Sequence, residues 1–183
     1  MLETAVILVL AVAWMLTPLW FHEAGHWIVL RRLNVRVVEH WFGLGPALLR
    51  WGRWRVGMLP IGGAVVPDPH AFAALSARQR MWVALAGPLA SLLHAAVVLG
   101  VWALNQEVTG AEALRTVGLL SLLLAGVNAI PIPPLDGFQA YVNWREIQQK
   151  PLEERHLALA NRLGSGLVYG VGFWVLGWWM LPG

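Results

Sequence analysis

Long apolar runs alternate along this chain with short segments in which polar residues gather. A helix needs about 20 mostly apolar residues to cross a hydrocarbon layer of about 30 Å. Four stretches meet or approach that length: Val6–Leu30, Met81–Leu104, Thr116–Ile130 and Gly164–Leu181. The first is apolar apart from Thr17 and a cluster at His22, Glu23 and His26. The second carries no formal charge and one histidine, His94, while the third is short and runs straight into Pro131–Pro134. The fourth is uncharged and rich in glycine and tryptophan. Between the first two spans the pattern changes. Arg53-Trp54-Arg55-Val56 alternates polar and apolar positions, Gly52 between two tryptophans marks a hairpin turn, and Val35–Val38 reads as another short strand. Residues 138–162 read as a charged surface helix broken at Pro151. The predicted fold is an α-helical membrane protein with about four transmembrane helices and a small membrane-associated β region between helices one and two. A single integral-membrane domain over residues 1–183 is expected. Its core is 5–137, followed by the surface helix and fourth span at 138–183.

Composition agrees. Hydrophobic residues make up 58% of the chain and charged ones 13%, with a mean hydropathy of +0.60. Soluble domains run at about 45–50% apolar and about 25% charged. A disordered chain is excluded and an ordinary soluble enzyme is disfavoured. The absence of cysteine excludes disulfides, thiolate metal sites and cysteine nucleophiles. Ala11-Val12-Ala13 resembles a signal-peptide cleavage site, but Glu3 stands where a positive charge belongs and the apolar run continues past it. A retained first helix is expected.

Charge sets the orientation. Eight of the thirteen Lys and Arg residues lie between spans one and two, four more between spans three and four, and only Arg115 lies near the remaining loop. Cytoplasmic loops carry such an excess, so both basic loops face inward and both termini outward. The pI near 10.2 then follows from topology. Trp41, Trp51 and Trp54 read as interfacial anchors, and no recognition motif makes nucleic acid an expected partner.

His22-Glu23-Ala24-Gly25-His26 is an H-E-x-x-H motif. On a helix, residues four apart share a face, about 6 Å apart along the axis. Two imidazoles so placed can chelate one metal, with the intervening Glu reaching into the adjoining volume. Zinc held by histidine acidifies water, and a nearby Glu can take the proton. The plainer alternative is a histidine pair hydrogen-bonded within a helix bundle. Ionisable groups inside an apolar span are costly, which favours the functional reading. With Arg31 and Arg32 at the inner boundary, His26 and His22 would lie roughly 7 and 13 Å deep at about 1.5 Å per residue. A hydrolytic zinc site commonly has three protein ligands and one open position. Asp136 is the only other carboxylate expected at membrane depth, in Asn128-Ala-Ile-Pro131-Ile-Pro133-Pro134-Leu135-Asp136-Gly137. Irregular backbone at that depth must be buried by protein or line a wet cavity. Two readings of Asp136 stand at this point: a broken helix end presenting it to the histidines, or a helix-terminating turn that it caps.

These motifs resemble the site-2 protease family of intramembrane zinc metalloproteases. His22–His26 in the first span and Asn128 to Gly137 after the third are similar to that family's two signatures, in the same order. Phe42-Gly43-Leu44-Gly45-Pro46, Leu59-Pro60-Ile61-Gly62-Gly63 and Ala86-Gly87-Pro88 resemble its glycine motifs, so the likeness covers about residues 15–140. The resemblance implies one zinc per chain, held by His22, His26 and Asp136, with Glu23 as general acid/base. It also implies that Asn128 holds substrate or stabilises charge, and that residues 35–66 pair with an unwound substrate strand. Ser91 stands where the family often has Asn. The implied activity is hydrolysis of a peptide bond in or near a transmembrane segment of a membrane-protein substrate. The implied location is a prokaryotic cell membrane, with the site opening toward the cytoplasm. No PDZ or CBS domain is seen, and an unseen regulatory partner or a homo-oligomer is compatible with the sequence.

The other polar positions read more plainly. His94 suits an interhelical hydrogen bond better than a place beside the metal. Asp68 and His70, flanked by Pro67 and Pro69, belong to a loop, while His40 and His156 read as solvated. Gly166 and Gly170 form a G-x-x-x-G suited to close internal helix packing. Two rival functions remain. A non-catalytic zinc-binding scaffold would have no need of Glu23, and a metal transporter would want acidic residues in the outer half of some span.

Overall fold

The computed structural model of the chain describes residues 13–14 and 16–180. Most of the stretch from Val6 to Thr17, and Leu181, lie outside the described residues. The elements run α1 (Thr17–Arg32), β1 (Val37–Trp51), β2 (Trp54–Pro67), α2 (Pro69–Ala73), α3 (Ala77–Leu104), α4 (Ala111–Asn128), α5 (Asp136–Ile147) and α6 (Glu154–Met180).

Local chemistry explains the helix limits. Pro18 sits in the first turn of α1, where its missing N–H costs nothing, and Arg31 and Arg32 occupy the last, where cations meet the exposed carbonyls. α3 starts before the expected Met81 because Ser76 caps it. The Ser76 Oγ accepts from the Gln79 N–H at 3.3 Å, and the Gln79 Oε1 accepts from the Ser76 N–H at 2.9 Å. α4 likewise begins at Ala111, before the expected Thr116, behind Gly110 at φ 91°.

Among the described residues two helices, α3 and α4, are long and apolar enough to cross a membrane. The structure therefore supports a helical protein with apolar spans and a small sheet, but the described residues do not show four spans. α6 dilutes its aliphatic residues with glycine and tryptophan. It is also one continuous helix from Glu154 to Met180, joining the end of the expected surface helix to the expected fourth span. The break at Pro151 separates it from α5. Polarity in α3 and α4 is inverted relative to a soluble bundle. Ser91, His94 and Ser121 are buried, whereas Leu93 and Leu123 are 68% and 62% exposed. Apolar surface outside with polar groups paired inside is the arrangement that a lipid solvent requires.

β1 and β2 form an antiparallel hairpin turned at Gly52 (φ 58°), as the alternating pattern predicts, but β1 is longer than the Val35–Val38 strand. Its register is irregular. Trp41 pairs with both Ala64 and Arg55, and Phe42 with both Gly63 and Val56, so the strands curl back over themselves. At its root, buried Leu30, Val35, Val37 and Val83 form a core with Trp27, Val65 and Phe72 against it. That core fixes the hairpin to α1 and α3.

Close approaches hold the helices. A Cβ on Gly25 would run into the main chain of α3 at Ala86, and one on Gly118 would lie 2.6 Å from Leu99 Cγ. In α6 the close approach comes at Gly164, where a Cβ would sit 2.7 Å from Pro133. At Gly166 and Gly170 a Cβ would meet nothing within 4 Å, so the expected tight packing of that pair is not seen among the described residues. Arg80 ties α3 to α5. Its Nε donates to Asn143 Oδ1 at 2.9 Å, Nη1 to the Leu75 carbonyl at 2.6 Å and Nη2 to Glu146 Oε2 at 2.6 Å.

Candidate metal centre

The helical spacing in α1 turns His22 and His26 toward α3. There Val83, Gly87 and Ser91, each four residues from the next, form one stripe. The His26 Nδ1 donates to the Val83 carbonyl at 2.7 Å, and the His22 Nδ1 lies 3.0 Å from the Ser91 Oγ. Both rings are thereby held at Nδ1 with their Nε2 atoms facing one volume, the ring centroids 5.1 Å apart and nearly perpendicular. Gly87 makes room for them, since a methyl group there would press on the Nε2 atoms of both rings.

The third donor arrives from a segment more than a hundred positions further along the chain. Asp136 is the first residue of α5, and Gly137 lets that helix start directly against the end of α4, since a Cβ there would strike the Ala129 carbonyl. The Asp136 Oδ2 comes within 3.0 Å of His22 Nε2 and 3.3 Å of His26 Nε2. Of the two sequence readings, a carboxylate presented to the histidines is the one this geometry matches. Asp136 opens a new helix rather than capping the end of the old one.

The donor set fits a metal ion. With its Nδ1 proton committed to a carbonyl, a neutral His26 presents a lone pair at Nε2. Facing it is Asp136 Oδ2, which is buried and has no hydrogen-bond partner. Lone pair against carboxylate oxygen is repulsive unless a proton or a metal ion sits between them. The three donor atoms lie within 4.8 Å of one another and are the one such His/Cys/Asp/Glu group among the described residues. Two imidazoles and a carboxylate are donors that zinc accepts, with a position left open. A bound ion accounts for all three converging donors at once, whereas a histidine pair alone does not call for the carboxylate.

Glu23 is 5% exposed, with its Oε1 over Gly63 of β2, where a Cβ would sit 3.1 Å away. The Asn128 Nδ2 donates to the Leu124 carbonyl at 3.0 Å. His22, Glu23, His26, Asn128 and Asp136 all line one cavity of about 390 Å³, with Gly62, Gly63 and Arg80 on its other walls. Thus the structure gathers all five predicted residues. Sequence reasoning missed the Val83 carbonyl and the positioning part played by Ser91, although the four-residue stripe of Val83, Gly87 and Ser91 was a signal for both.

The remaining histidines sort differently. The His94 Nδ1 lies 2.7 Å from the Ser121 Oγ across α3 and α4, as expected of an interhelical histidine. Asp68 caps α2 by accepting from the Ala71 N–H at 2.9 Å, and His70 is exposed, so they form no ligand pair. His156 is exposed. His40 departs from expectation. It is partly buried and stacks on Trp54 at 4.3 Å, and desolvation together with the Arg53 charge lowers its basicity.

Comparison with known proteins agrees with this arrangement. The model of peptidase family M50 matches residues 10–116. A Clostridium acetobutylicum protein named "putative zinc metalloprotease" is 33% identical over 112 residues, covering 55% of this chain and 32% of its own. Rip2 of Mycolicibacterium smegmatis, which bears the same descriptive name, is 30% identical over 178 residues, covering 88% of this chain and 66% of its own. The chain spans only 23% to 32% of the length of three of the curated relatives it matches. The solved structure of the site-2 protease from Methanocaldococcus jannaschii shares the fold with a TM-score of 0.56 at 24% identity, over 96% of this chain and 77% of that one. With the family model covering more than half of its residues, the chain belongs to peptidase family M50, the site-2 protease family.

Proposed function

We propose that this chain is a zinc-dependent endopeptidase that cleaves a membrane-protein substrate in or near its transmembrane segment. One observation carries the reading: two imidazole nitrogens and an orphaned carboxylate oxygen converge in the cavity that Glu23 also lines. His22, His26 and Asp136 would hold one zinc. When bound, zinc supplies Lewis-acid polarisation of a carbonyl and acidifies water. Glu23 takes the proton of the attacking water at its carboxylate and returns it to the departing amine. Burial of Glu23 keeps bulk water from competing for that proton. The Asn128 amide donates one N–H to Leu124, which leaves its carbonyl oxygen and second N–H to orient the substrate chain. A helical substrate must unwind before its amides can be reached, and pairing with the hairpin around Gly62 and Gly63 replaces the lost main-chain bonds. The names borne by the relatives support zinc and proteolysis. The excess of Arg and Lys in two loops supports a site opening toward the cytoplasm and, with four spans, both termini outside, while the bacterial and archaeal relatives support a prokaryotic cell membrane.

Glu23→Gln tests the reading. Cleavage of a single-pass substrate should fall by about a hundredfold or more, with zinc still bound. Undiminished cleavage would remove Glu23 from its role. A parent protein that holds zinc and cuts nothing would favour the scaffold.

A further inference from the structure

A second cavity, of about 250 Å³, lies across Glu23 from the first. Trp20, Ala24 and Trp27 of α1 form one wall, and Phe42, Trp54 and Val65 of the hairpin form the other, with His40 at the edge. Trp20, Glu23, Ala24 and Trp27 follow the helical three- and four-residue spacing, so a single stripe of α1 faces this space. Its walls are locked together. Trp20 stacks on Phe42 with centroids 4.6 Å apart, Phe42 lies nearly parallel to Trp54 at 5.8 Å, and His40 stacks on Trp54 at 4.3 Å. The small Ala24 side chain leaves room between them. Glu23 and Val65 line both cavities and so stand between them.

We propose that this aromatic cavity receives one large apolar side chain of the substrate beside the scissile bond, and so selects which bond is cut. The inference rests on the endopeptidase reading and deepens it. In an extended peptide, neighbouring side chains point to opposite sides. A chain laid along β2 with its scissile carbonyl in the first cavity sends an adjacent side chain past Val65 into the second. The lining there is indole, phenyl, alanine and valine, with ionisable groups only at Glu23 and His40. A charged side chain is disfavoured because most of this lining is aromatic or aliphatic. Lipid already solvates apolar groups, so selection comes from fit against flat walls rather than from escape from water. Phe, Leu and Met fit, and Gly, Asp and Lys do not.

Two measurements on the full membrane-embedded chain test this. In the first, each residue around the cut in a single-pass substrate is varied in turn. One position should favour Phe or Leu over Gly by about tenfold or more, a step typical of an apolar pocket. Ala24→Leu, which fills the cavity, should reverse that preference toward small residues. Trp27→Ala should flatten it, with zinc content unchanged in both. In the second, a benzophenone-bearing residue at the same position is photo-cross-linked to the Glu23→Gln protein, which needs no turnover. Cross-links should map to Trp20, Ala24, Trp27 and Trp54, which line the second cavity and not the first. Cleavage without a preference at any position, or cross-links confined to the walls of the first cavity, would overturn the pocket and leave the endopeptidase intact. Cross-links in the second cavity beside a parent that binds zinc but never cuts would uphold the pocket and overturn the endopeptidase.

Discussion

Two buried imidazole sites lie within one bundle, and they differ in what the second ring nitrogen meets. His22 and His94 each approach a serine hydroxyl through Nδ1, at 3.0 Å from Ser91 and 2.7 Å from Ser121. Around His94 the bonding closes. The Ser121 hydroxyl donates to the Val117 carbonyl at 2.9 Å and so accepts from the ring, while Phe21 stacks on the imidazole at 4.1 Å. Around His22 it stays open, because Nε2 faces a second imidazole and an orphaned carboxylate oxygen. Histidine at membrane depth is thus not in itself a sign of chemistry. A site able to hold a cation needs donors left over after each ring has been oriented.

The comparison breaks most sharply at Asp136. Asp136→Asn should strip zinc from the protein on dialysis against a mild chelator, whereas His94→Leu should keep it and cost about 0.5–1.5 kcal/mol of stability for one lost hydrogen bond. Equal zinc loss from both would erase the distinction drawn here. Next comes Gly87→Ala, whose methyl group presses on both Nε2 atoms. It should impair zinc binding strongly, while Gly118→Ala, which crowds Leu99, should cost about 1–3 kcal/mol in packing and leave zinc content alone. Metal analysis beside thermal unfolding separates the two. The smallest effect sharpens the contrast between the serines. Ser91→Ala should weaken zinc by about 10–100-fold in competition with a chelating dye, and Ser121→Ala should leave the affinity unchanged.

What could be read from the chain alone follows the range of the interaction. His22 and His26 share a helical face because they are four residues apart, which is local geometry. Asp136 needed a further argument, that a carboxylate at membrane depth must face protein, and that argument left two readings open. The geometry matches the first of them, because Gly137 lets α5 start on top of the α4 terminus. The Val83 carbonyl left no trace of its own, since every residue offers a main-chain oxygen and only packing chooses one. Rotation of α6 explains the glycines: Gly164 meets Pro133, and Gly166 and Gly170 turn elsewhere. The hairpin turn at Gly52 was legible, but its doubled register was not, because the bends at Gly43, Gly45 and Gly62 depend on what the strands lie against.

The donors are far apart along the chain, with more than a hundred positions between His26 and Asp136. A ribosome releasing this polypeptide produces the paired rings before the acid. Until α5 emerges and docks, the nascent protein has only two of the three groups that would grip a metal ion. On the proposed reading, the cell is spared a half-made protease loose in its own membrane.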